Sequence, residues 1–300
     1  GEDGITIPPG APAVSDPVDM AVDARGRLAV SIYLPEETPL TTFHWDGRQT
    51  AWFGSGNQTG IERFAATSAT DARVFLSDVL VDTPNEGAVV VISDSITDGN
   101  GATVDADTRW PDFLAARLAP YRIAVLNGGI SGGRLLRDKM GVNVAARLDR
   151  DVFAQPNVKA AIVLIGINDI SWPGTDFAPD QKRPTAEELI AGYRQLVALA
   201  HARNIRLIGA TLPPFEGALS GTPLGNYYHP DKDALRREVN RWIRESAAFD
   251  AVVDFDSVLR DPGHPARISP AFDSGDHLHP GDEGNRAMAD AVNLNALLGR

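Results

Sequence analysis

From residue 88 onward, short apolar runs alternate with longer amphipathic stretches, and few folds accommodate that rhythm. The runs fall at residues 88–92, 123–126, 160–165, 205–210 and 251–255. The first, Ala88-Val89-Val90-Val91-Ile92, has no polar alternation, as expected of a strand buried on both faces. Between and after the runs, helical patterning covers residues 110–118, 142–153, 185–203, 232–247 and 282–298. Pro111 sits where a first helical turn tolerates it, and Thr185 with Glu188 forms a near capping box. Strands alternating with helices predict a five-stranded parallel sheet covered by helices on both faces.

The first 85 residues read differently. Strand-like runs at 28–34 and 73–76 are broken by Pro, Gly and Asp, and no helical period runs through them. This predicts a small β-rich domain over residues 1–85, a linker near 82–87 and an α/β domain over 86–300. The chain has 300 residues and is 43% hydrophobic, a composition that supports a full core. Its net charge of −12 argues against a nucleic-acid partner, which would need a basic face, and against a polybasic membrane anchor. The absence of cysteine excludes disulfides and thiolate chemistry. No apolar run reaches the roughly 18 residues of a membrane span. The opening Gly-Glu-Asp-Gly is neither an initiator Met nor a signal peptide, so the reading expects a start that lies upstream.

In open α/β sheets, ligands bind at the carboxyl ends of the strands. The segments that reach that edge are residues 93–99, 127–133, 166–169 and 273–280, all rich in polar residues and glycine. A serine hydroxyl becomes a nucleophile when an oriented imidazole takes its proton. Ser95 supplies the hydroxyl, and Asp276-x-x-His279 supplies a carboxylate and an imidazole. A tetrahedral intermediate then needs hydrogen-bond donors, available from the N–H of Ser95, the N–H of Gly132 and the side-chain amide of Asn168.

These four blocks resemble the SGNH, or GDSL-type, hydrolase superfamily of esterases and lipases. The matching residues are Asp94-Ser95, Gly132 within Ile130-Ser131-Gly132, Gly166-Ile167-Asn168-Asp169, and Asp276-His277-Leu278-His279. They follow the family's order over about residues 87–300. The wording between blocks is similar to a group of bacterial secreted esterases that carry an N-terminal β-rich domain. The resemblance implies a flavodoxin-like three-layer α/β/α sandwich and a serine esterase working through an acyl-enzyme. It implies a short-chain or carbohydrate acetyl ester as substrate, no cofactor, and a secreted or periplasmic location. One position departs from the pattern: the family motif begins with Gly, and here Ser93 stands there. The smooth run 90–92 predicts that the strand continues through Ser93 in ordinary β conformation.

Other readings carry different consequences. The spacing of His277 and His279, with Asp273 or Asp276, invites a metal site and a metal-dependent phosphodiesterase, but no further ligand pattern accompanies them and none is expected. Residues 128–133 have the glycine content of a phosphate loop without its lysine. Asp94 and Asp169 read as residues that bond local backbone rather than reacting groups. Trp172, Phe215, Tyr227 and Tyr228 lie in loops after the third and fourth runs, where they either contact an acyl group or sugar or pack the loops down. A non-catalytic carbohydrate-binding protein with the same fold is the alternative from outside the enzymes, and turnover of a simple acetyl ester separates the two.

Overall fold

The structure is a computed structural model describing residues 4–8, 10–40 and 42–300. Two short antiparallel strands, β1 (Ala51–Phe53) and β2 (Ser68–Thr70), precede the main sheet. The main sheet contains β3 (Gly87–Ser93), β4 (Ile123–Gly129), β5 (Val158–Leu164), β6 (Arg206–Ala210) and β7 (Ala251–Val253). All its pairings are parallel, in the order β4-β3-β5-β6-β7. The helices are α1 (Ser95–Asp98), α2 (Trp110–Leu118), α3 (Val144–Leu148), α4 (Ile167–Ser171), α5 (Ala186–His201), α6 (Pro230–Glu245), α7 (Phe255–Leu259), α8 (Asp282–Ala291) and α9 (Leu294–Leu298). The sheet is sandwiched between helical layers: α2 packs on α8, and α5 packs on α3 and α6.

Every residue of β3 is buried, which explains its uninterrupted apolar sequence. Its neighbours β4 and β5 bring the loops after Gly129 and Leu164 to the same edge as Ser93. The chain order reverses beside β3, so the crevice beyond its carboxyl end is the topological switch point where such sheets bind ligands. Close packing there depends on Gly129, whose added Cβ would lie 2.3 Å from the backbone nitrogen of Asp98. Only a glycine lets α1 rest directly on β4.

The structure corrects several sequence expectations. Residues 28–34 and 73–76 form no strand; the N-terminal β structure is the β1–β2 pair instead. Leu28, Val30, Ile32, Tyr33 and Leu34 are exposed, and among the described residues no strand pairs with them, so β propensity alone leaves them unladdered. The helix expected at 142–153 starts at Val144, where Asn143 caps it by accepting from the Ala146 N–H, and continues as a π-turn over Asp149–Phe153. The closing helix divides because the Asn293 side chain accepts from the N–H groups of Asn295 and Ala296 and starts a new helix. Thr185 and Glu188 form the expected capping box on α5.

Candidate active site

Ser95 begins α1 just beyond the end of β3. The chain leaves β3 through Asp94, whose Oδ1 accepts the Ile96 N–H at 3.1 Å and so turns the backbone into the helix. Ser95 is half-buried. Its Oγ lies 2.8 Å from Nε2 of His279, which comes from the loop before α8. Nδ1 of His279 lies 2.5 Å from Oδ2 of Asp276. The other oxygen of Asp276 accepts the N–H groups of Leu278 at 2.9 Å and His279 at 2.8 Å. Burial raises the Asp276 carboxyl, but its bond to His279, that residue's charge and the two backbone donors outweigh burial and bring it down to about 2. A carboxylate ionised at neutral pH holds the proton on Nδ1, so the lone pair of Nε2 faces the serine hydroxyl.

Three donors point from separate elements. Gly132 has φ +71°, a left-handed conformation, and a Cβ there would meet Met140 Sδ at 2.5 Å and Trp172 Cζ2 at 2.9 Å. Glycine is required on both counts. Asn168 lies in α4 and is almost completely buried. Its Nδ2 donates to the Gly133 carbonyl at 3.0 Å, and its Oδ1 accepts from the Tyr227 hydroxyl at 2.7 Å. That leaves one amide proton unused. Among the described residues, the N–H groups of Ser95 and Gly132 also have no hydrogen-bond partner.

The carboxylates flanking these groups are structural. Asp169 accepts the N–H of Leu135 at 2.7 Å and of Leu136 at 2.9 Å, fastening α4 to the loop after Gly132. Burial raises its carboxyl to about 6, against the pull of those two donors and Arg134. Burial likewise raises Asp94 to about 7, opposed by the Ile96 N–H and His279. Among the described residues its Oδ2 has no hydrogen-bond partner.

Ser93 completes β3, fully buried, outside the positive-φ region. Its hydroxyl donates to the carbonyl of Leu164 at the end of β5, so the extra group is absorbed between two strands. His277 and His279 turn to different carboxylates: Nδ1 of His277 lies 2.5 Å from Asp273 Oδ2. Among the described residues, no three His, Asp or Glu side chains gather where they could hold a metal ion.

The loop aromatics are mostly not exposed. Trp172, Phe215 and Tyr227 are buried and pack the loops onto the domain, with Phe215 edge-on to both Tyr227 and Tyr228. Tyr228 alone is half-exposed. Two features left no mark in the sequence: Tyr227 as the partner of Asn168, and the acid Asp98, fully buried at the end of α1. A tyrosine in a loop carries no sign of which amide it will meet.

The sequence profile of the GDSL-like lipase/acylhydrolase family matches residues 94–287. The chain belongs to this family, and it is an enzyme of the carboxylic ester hydrolase class. A sequence comparison with curated proteins finds no match. The fold is similar to that of an aryl esterase from M. smegmatis (18% identity, TM-score 0.55, covering 71% of this chain and 100% of that one). It is also similar to a mutant acetyl-xylooligosaccharide esterase from Geobacillus (24%, TM-score 0.50, 73% and 97%). A carbohydrate acetylesterase from Sinorhizobium meliloti is a further likeness (16%, TM-score 0.51, 68% and 95%).

Proposed function

We propose that the chain is a serine esterase that cleaves short-chain carboxylic esters through an acyl-enzyme. The observation that carries this reading is the continuous relay from Ser95 Oγ through His279 to Asp276. Ser95 Oγ attacks the ester carbonyl while its proton passes to His279 Nε2. The carbonyl oxygen becomes an oxyanion held by the N–H groups of Ser95 and Gly132 and by Asn168 Nδ2. As the intermediate collapses, the carbon–oxygen bond to the alcohol breaks and His279 returns the proton to the departing oxygen. Water then attacks the acyl-Ser95 ester, giving up a proton to His279, and the carboxylic acid and free Ser95 are regenerated. The chemistry needs no cofactor.

Met140 and Trp172 crowd the space beside Gly132, which favours a small acyl group. The names of the similar structures, an aryl esterase and two esterases of acetylated carbohydrates, support an acetyl ester on an aryl or sugar alcohol. Of the four loop aromatics only Tyr228 is not buried, which supports it as the one that contacts such an alcohol. Residues 86–300 carry the reacting groups, and the residues before them form an N-terminal unit of an exported protein that packs against this domain through His44, Asp46 and Arg48. No helix is long and apolar enough to cross a membrane among the described residues. The test is hydrolysis of p-nitrophenyl acetate, butyrate and octanoate beside acetylated xylooligosaccharides. Highest kcat/KM for acetyl esters, unaffected by a chelator, is expected. Preference for octanoate overturns the acyl-length assignment, and no turnover of any ester favours a binding protein.

A further inference from the structure

Residues 44–46 lie outside the stretch that matches the family profile, yet they reach the loop that carries Gly132. His44 is held by backbone bonds in both directions to Arg73, its N–H to Arg73 O at 3.2 Å and its carbonyl from Arg73 N at 2.9 Å. Beyond His44 the chain turns at Trp45 and Asp46. His44 and Asp46 both contact the domain, while Trp45 between them is 48% exposed. His44 Nδ1 lies 2.9 Å from Asp98 Oδ1, and the Asp46 N–H donates to Asp98 Oδ2 at 3.2 Å. Asp98 Oδ2 also accepts the N–H of Ser131 at 3.1 Å and its hydroxyl at 2.7 Å. The same hydroxyl is 2.5 Å from Asp46 Oδ2.

Ser131 immediately precedes Gly132, and its backbone N–H and side chain both end on this cluster. The contact is close: a Cβ on Gly99 would come within 2.7 Å of the Asp46 carbonyl, and Arg109 donates to the Gly47 carbonyl at 2.9 Å. We infer that Asp46 is a positioning residue, with His44 beside it, holding Ser131 and through it the Gly132 N–H in register with Ser95. The N-terminal segment thus adds a further hold, from outside the family-matched stretch, on a loop that Asp98 grips from within it. This inference rests on the assignment of Gly132 as an oxyanion donor.

Preorganisation makes small displacements costly, because a donor that drifts by a fraction of an ångström loses its grip on the developing charge. Ser131 has one hydroxyl proton for two carboxylates. An asparagine at position 46 keeps an acceptor oxygen and offers a donor, whereas alanine offers neither.

The experiment compares Asp46→Ala, Asp46→Asn, Ser131→Ala and the double variant Asp46→Ala/Ser131→Ala, with Ser95→Ala as reference, using p-nitrophenyl acetate and thermal melting on the full chain. Asp46→Ala is expected to lower kcat about tenfold, with KM within about twofold. Asp46→Asn should recover most of that loss. Ser131→Ala, which also gives up the bond to Asp98, should lose at least as much as Asp46→Ala, and the double variant should lose no more than Ser131→Ala alone. Wild-type kcat in folded Asp46→Ala overturns the inference. Equal losses in Asp46→Ala and Asp46→Asn, or fully additive losses with Ser131→Ala, overturn it as well. Ser131→Ala supplies the decision if Asp46→Ala does not fold, and wild-type kcat in that variant also counts against the inference. Turnover retained by Ser95→Ala removes the serine-esterase reading itself, whereas inactive Ser95→Ala beside fully active Asp46→Ala removes only the positioning role.

Discussion

The hydroxyl of Tyr227 donates a 2.7 Å hydrogen bond to Oδ1 of Asn168. An amide rotated by half a turn would present its oxygen, not its nitrogen, to the substrate. The Gly133 carbonyl, which can only accept, opposes that rotation by taking a proton from Nδ2, and the phenol supports the same orientation by donating to Oδ1. Burial pushes the Tyr227 phenol well above its usual range, aided by the nearby carboxylates of Asp94 and Asp276, so it remains a donor at any working pH.

Tyr227→Phe should therefore lower kcat by about tenfold to a hundredfold while leaving KM nearly unchanged, because it loosens the amide that the proposed mechanism sets against the oxyanion. The buried Oδ1 loses its partner, at a cost of about 1–3 kcal/mol in stability. Steady-state kinetics on p-nitrophenyl acetate, combined with thermal melting, checks both effects. A large rise in KM with kcat intact would assign Tyr227 to substrate contact instead.

Ser93→Gly should leave kcat/KM within about tenfold of wild type, a difference below 1.4 kcal/mol. Ser93 is in ordinary strand conformation and its hydroxyl is spent on the Leu164 carbonyl. The variant loses that bond and gains backbone freedom in the unfolded chain, so its melting temperature should fall. A gain in kcat/KM far above tenfold would show that Ser93 distorts the nucleophile turn.

Asp94 governs a pH effect on stability. Its folded carboxyl sits at about 7, raised by burial, against the usual value near 4 in an unfolded chain. Between those limits the folded state binds the extra proton. The stabilisation is fully present below about pH 4 and is lost as pH rises through about 7. Asp94→Asn keeps the acceptor for Ile96 and carries no charge, so it should melt above wild type at pH 8, with the gap closing toward pH 5. Asp169 shifts in the same direction and its charge helps to raise Asp94, so removing the Asp94 charge also eases ionisation of Asp169 and widens the gap at high pH in the same sense. A gap that is constant with pH would mean that Asp94 is not the titrating group.

The sheet was legible because strands buried on both faces leave unbroken apolar runs, and residues 88–92 and 160–165 both fall in the core. The relay was legible because its members lie in short stretches with fixed spacing, as in Asp276-x-x-His279. Long-range polar partners leave no such trace. Tyr227 is 59 positions from Asn168, and His44 is 54 from Asp98. The N-terminal runs misled for the opposite reason: residues 28–34 have strand propensity, but a strand needs a partner, and the described residues supply none.

The most direct measurement is hydrolysis of p-nitrophenyl acetate by Ser95→Ala, with circular dichroism and thermal melting to show that the protein is folded. In the proposed mechanism the Oγ of Ser95 is the attacking atom, with His279 and Asp276 in line behind it. Turnover should fall by about 10³-fold or more at an unchanged melting temperature. Near wild-type turnover by the folded variant would contradict the serine mechanism.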